Sequence, residues 1–150
     1  MSAPVSTVSD AIQAALAGYG WCRGAAGLAL AHRALAPDAP GPGVPPDEAV
    51  RLLTDRPLLD DLSLCHGELG VAEATGVLDG GGSAARRHAG LVLDAVERYG
   101  ASCGTPGAVP TPGLLTGLAG IGYGLLRLSG AGPVPSVLLL EPTPEPRSSG

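Results

Sequence analysis

The chain contains no phenylalanine and a single tryptophan, so large aromatic side chains contribute little to any core it builds. It contains no lysine either. All nine basic residues are arginine and they are scattered, which leaves no basic stripe to track a phosphate backbone, and nucleic acid is not an expected partner. No apolar run approaches the roughly 20 residues that a membrane span needs. The first thirty residues lack a charged start followed by an apolar block, so the expected compartment is the cytoplasm. The three cysteines, 43 and 38 residues apart, resemble no secreted disulfide framework, and no C-x-x-C redox pair exists. Metal binding or burial remains for them.

What is present is enough for one domain: 150 residues with 45% apolar content and a formal charge of −5. Glycine (24) and proline (15) make up about a quarter of the chain, yet the Ala/Leu/Val segments between them carry helical spacing. The expected organisation is all-α, with helices separated by Gly/Pro loops. Helices are predicted over 5–17, 25–35, 47–54, 68–78, 84–99 and 114–128. The loops are "PDAPGPGVPP" (37–46) and "GASCGTPGAVPTPG" (100–113), where proline removes donors and fixes φ. "PVPSVLLLEP" reads as an extended segment. One domain over 1–141, with a disordered tail over 142–150, is the expected division.

An internal repeat carries most of the information. "WCRGAAGLAL" (21–30), "LCHGELGVAE" (64–73) and "LLTGLAGIGY" (114–123) superpose with G-x-x-G at Gly24/Gly27, Gly67/Gly70 and Gly117/Gly120. A helical segment fills each interval. This is the pattern of stacked two-helix units in which one helix of each unit opens on a glycine turn. The glycines themselves are explained by tight packing of a helix start. Their register predicts that equivalent positions of adjacent repeats lie side by side.

In that register Cys22 and Cys65 hold the same position, and His66 follows Cys65, whereas the third repeat has Leu115 and Thr116. Two thiolates and an imidazole are zinc ligands by type, and three protein ligands with an open fourth position is the arrangement of a catalytic zinc. With zinc, two thiolates and a neutral imidazole the site carries no formal charge. Such a sphere suits binding a substrate thiol and keeping it nucleophilic at neutral pH. Spacing alone leaves a shared metal site and plain buried cysteines both open.

The stretches "GWCRGAAG", "LCHGELG" and "TPGLLTGLAGIGYGLLRL" with "VPSVLLLEP" resemble the closing part of the lanthionine synthetase C-like family. The likeness is greatest to the carboxy-terminal cyclase domain of the bifunctional type II lanthipeptide synthetases, and it runs from about Gly20 to Glu141. The resemblance implies an α/α toroid of seven two-helix repeats around a central zinc ion, of which about three are here. It implies cyclisation, in which zinc activates a peptide cysteine for addition to dehydroalanine or dehydrobutyrine. Cys22, Cys65 and His66 match the family's three zinc-ligand positions. The family's acid/base histidine belongs to an earlier repeat and the dehydratase domain is not matched, so the chain is expected to be a C-terminal fragment without an identified catalytic residue. The implied partners are a dehydrated precursor peptide and an N-terminal dehydratase or cyclase portion. The alternative is a non-catalytic zinc- or peptide-binding remnant that needs such a portion.

Other residues have simpler expectations. Trp21 and Tyr123 are expected to pack, and His32 to have no ligand role. His88 is expected to pack or face solvent on an outer helix. Cys103 is expected to be a buried or free thiol. Arg23 stands where the type II synthetases often have histidine, and either orients a substrate carbonyl or is solvated.

Overall fold

The computed structural model describes residues 18–35, 45–130 and 132–142. The helix expected over 5–17, most of the 37–46 loop and the tail beyond 142 lie outside the described residues. Among the described residues all regular structure is helical: α1 (Ala25–Leu35), α2 (Pro46–Thr54), α3 (Glu68–Leu78), α4 (Ser83–Tyr99) and α5 (Leu118–Ser129). None is long and apolar enough to cross a membrane. The repeat determines the layering. Helices α1, α3 and α5, which follow the three glycine turns, pack side by side, while α2 and α4 pack against each other and cover α3 from outside. The result is a partial α/α fold in two layers.

Helix α3 is the centre of this arrangement and touches all four other helices. Every residue from Glu68 to Thr75 is buried, and Leu69 and Val71 join Leu30, Leu53, Leu64, Val92 and Ile121 in one core. Helix α2 starts where its sequence dictates. Pro46 occupies the first turn, where its missing N–H costs nothing, and Asp47 and Glu48 face the positive end of the helix dipole. In α4 the apolar stripe buries His88 and Val92 and half-buries Val96, but Tyr99 at the end of the stripe is 83% exposed.

Two expectations are corrected. The last helix starts at Leu118, not Leu114, because residues 114–116 form a turn before Gly117, as 64–66 do before Gly67. The segment 133–142 is not extended throughout: residues 137–140 form a turn in which Glu141 N donates to Ser136 O and Leu139 N donates to the Ser136 hydroxyl. That turn is fastened to the inner helices. The Ser136 hydroxyl donates to the buried Glu73 carboxylate. Tyr123 donates to Pro135 O at 2.6 Å and accepts from Val137 N at 2.9 Å, so Tyr123 packs and staples, as expected of it.

The two buried glutamates of α3 have opposite acid behaviour. Burial pushes both carboxyls up. At Glu68, hydrogen bonds from His88, Arg56 and Leu59 N outweigh burial and hold the carboxyl below its ordinary value of 4.5. At Glu73, the Ser136 bond and the Arg127 charge do not, and it stays above 4.5. Glu68 therefore contributes stability that is present above its unfolded-state value and is lost as pH falls through the lower folded one. Glu73 has the opposite sign: its ionised form opposes folding at neutral pH, and the penalty disappears on acidification. Thermal unfolding from pH 7 to 3 is expected to show a midpoint that falls below about pH 4.5. Glu73→Gln is expected to keep that fall; a fall abolished by Glu73→Gln would contradict the assignment.

Candidate metal centre

Each of the three glycine turns uses the same backbone device. The residue after the first glycine donates its N–H seven positions back: Ala25 to Gly18 O (2.9 Å), Glu68 to Asp61 O (2.9 Å) and Leu118 to Thr111 O (2.8 Å). This folds the preceding loop onto the helix start. The second glycine then makes room for a carbonyl. A Cβ on Gly27 would sit 1.8 Å from Trp21 O, one on Gly70 2.1 Å from Leu64 O, and one on Gly120 1.7 Å from Leu114 O. In the first two repeats the carbonyl held this way belongs to the residue just before Cys22 or Cys65. The G-x-x-G spacing thus presents the cysteines on equivalent loops.

Adjacent repeats are joined at these equivalent positions. Trp21 N and Cys22 N both donate to Cys65 O (2.8 and 3.1 Å), and Cys65 N donates to Leu115 O (2.9 Å). The side-by-side arrangement expected from the register is what the backbone adopts. Its chemical consequence is that a ligand atom from each of Cys22, Cys65 and His66 lies within 4.8 Å of the others. Tetrahedral zinc, with ligand bonds of about 2.0–2.3 Å, holds its ligand atoms roughly 3.5–4 Å apart, so the trio needs little movement to close on an ion.

The electrostatics favour a cation there. Burial pushes the Cys65 thiol up to about 12, and the hydrogen bond and charge of the neighbouring Cys22, followed by the Asp61 carboxylate, add to the rise. Two thiolates side by side repel, and a divalent ion between them removes that penalty. The orientation of His66 is compatible with one. Its Nε2 lies 2.9 Å from Gly104 O, which can only accept, and 3.8 Å from Asp61 Oδ2. A neutral ring donating from Nε2 keeps its lone pair on Nδ1. Asp61 is itself fixed by Ser63 N, which donates to its Oδ1 at 2.8 Å.

The remaining candidates fall outside the trio. Trp21 packs against the core, Arg23 is exposed, and His32 is half-buried on α1. Cys103 is a free thiol, 2% exposed. It lines a cavity of about 330 Å³ together with Asp60, Asp61, His66, Gly104 and Thr105. His88 is buried with its Nε2 2.8 Å from Glu68 Oε1. Sequence reasoning missed Asp61 and Gly104 as partners of His66. The only prior signal was the spacing of Asp61 and Ser63, two residues apart as in a side-chain-capped turn.

The architecture defines a helical-repeat protein with a two-thiol, one-imidazole centre between adjacent repeats. The chain belongs to the lanthionine synthetase C-like family: the model of that family, described as lanthionine synthetase C-like protein, matches residues 6–139. Comparisons with curated proteins and with solved structures gave no match.

Proposed function

We propose that the chain is a zinc-dependent lanthionine cyclase unit of type II lanthipeptide synthetase character, acting in the cytoplasm on a dehydrated precursor peptide. The observation that carries this is the convergence of Cys22, Cys65 and His66 within 4.8 Å, in a chain of this family. Cys22 and Cys65 would hold the ion as thiolates and His66 through the nitrogen left free by its bond to Gly104 O. A zinc ion bound there supplies the acidity that keeps a substrate thiol ionised at neutral pH. The chain's own residues position the imidazole. Gly104 O lies within hydrogen-bond reach of Nε2 and so orients the imidazole, and a cavity of about 330 Å³ lies beside His66 on that side.

The test is incubation of the zinc-loaded chain with a dehydrated precursor peptide, following loss of free thiol. Ring formation at least about tenfold above the uncatalysed rate is expected, a modest demand on a positioned thiolate. Rates equal to background would overturn cyclase activity for this chain.

One observation favours a second reading, in which the chain binds zinc or peptide and cyclises only when a separate N-terminal portion docks on it. Leu114, Leu115, Leu118 and Leu126 of the third repeat are all 42–57% exposed, an apolar face of the kind that stacked repeats cover. Activity that appears only on co-expression with such a portion would select it.

A further inference from the structure

We propose that Tyr19 and Arg56 are positioning residues for the metal centre: Arg56, locked into the second repeat, clamps the Cys22 loop through the Tyr19 ring and so sets where Cys22 stands relative to Cys65 and His66. This rests on the zinc-site reading above. It starts from a weakness in the loop that carries Cys22. Both backbone hydrogen bonds tying that loop to the second repeat, from Trp21 N and Cys22 N, end on the single carbonyl oxygen of Cys65. One acceptor atom is a pivot. It fixes the distance between the repeats more than their relative orientation: the loop is held to its own helix by the bond from Ala25 N to Gly18 O, and Gly20, lying against the His66 backbone, brings no side chain to the junction.

A further contact between the two repeats, on the far side of the loop, adds orientation. Tyr19 pairs with Gly24 in a single antiparallel bridge that closes the loop, and its ring lies under the Arg56 guanidinium, 4.5 Å from centroid to Cζ. The guanidinium itself cannot turn. Its two terminal nitrogens donate to the two oxygens of Glu68 at 3.1 and 2.9 Å, and one also donates to Pro57 O at 2.8 Å. Glu68 is held in turn by Leu59 N at 2.6 Å and by His88 Nε2 at 2.8 Å. Since Glu68 follows His66 by two residues at the start of α3, one buried carboxylate fixes both the Cys65–His66 turn and the plate on which the Cys22 loop rests. A planar cation over a ring face suits this because it fixes orientation as well as distance.

The experiment is a Co²⁺ titration of the full chain, read by the thiolate-to-cobalt charge-transfer band, in wild type, Tyr19→Phe, Tyr19→Leu and Arg56→Lys. Tyr19→Phe keeps the ring face and is expected to match wild type in affinity and band. Tyr19→Leu, and Arg56→Lys with its charge but not its planar fork, are each expected to bind about tenfold more weakly, the loss typical of outer-shell residues, with a changed band and unchanged helicity without metal. Wild-type affinity and band in either variant would overturn the proposal. So would a loss in Tyr19→Phe equal to that in Tyr19→Leu, or a metal-free Tyr19→Leu chain that has lost its helices, since the ring would then hold the fold and not the spacing of the thiols. A wild-type chain that takes up no Co²⁺ would remove the zinc-site reading itself, and this proposal with it.

Discussion

Gly70→Ala is expected to lower unfolding stability by about 3 kcal/mol or more, at the top of the range for overpacked sites, and to lower metal affinity as well. The new Cβ would stand 2.1 Å from Leu64 O and 3.0 Å from its carbon, and both are backbone atoms that no side-chain rotation can move. The Cys65–His66 turn would have to lift off the start of α3. Doing so breaks the bond from Glu68 N to Asp61 O and the bond from Cys65 N to Leu115 O, which register the second repeat internally and against the third. Gly76→Ala in the same helix is the control. Nothing lies within 4 Å of its Cβ, so it is expected to stabilise by up to about 1 kcal/mol through helix propensity. Urea denaturation of the pair checks this, and equal effects of the two substitutions would contradict it.

Cys65→Ala is expected to reduce zinc affinity by more than about a hundredfold, beyond the loss that outer-shell changes produce. It removes one of two thiolates from a three-ligand set and leaves a site that cannot neutralise the ion. The fold should survive, because Cys65 is only half-buried and the backbone groups that join the repeats are unchanged. Cys103→Ala separates ligand from bystander: Cys103 is a buried thiol outside the trio, and its loss should leave zinc affinity intact. Zinc titration with a competing chelator checks both. Equal affinity in wild type and Cys65→Ala would contradict the ligand assignment.

The sequence made the candidate site legible because the repeat register does geometric work. Placing Cys22 and Cys65 at the same offset from a G-x-x-G start amounts to placing them on equivalent loops, and backbone hydrogen bonds then join those loops side by side. Helices α1 and α3 were legible to the residue, since glycine turns and loops punctuate them. The start of α5 was not. Leucines at 114 and 115 continue the apolar pattern through a turn, and only the seven-residue return from Leu118 N to Thr111 O separates turn from helix. Arg56 and Glu68 gave no sign either. A charge twelve residues from its partner has no periodic signature, and burial of Glu68 follows from α3 being enclosed by four helices. For the same reason His88, on an apparently outer helix, faces inward to a carboxylate.

The central claim is that two adjacent repeats of this chain assemble a metal centre from Cys22, Cys65 and His66. The most direct measurement is the zinc content of the purified chain at neutral pH, with helicity recorded on the same sample. About one zinc ion per chain, the stoichiometry of a two-thiolate, one-imidazole site, is the predicted result. A fully helical chain that holds no zinc, and takes none up when it is supplied, would contradict the claim.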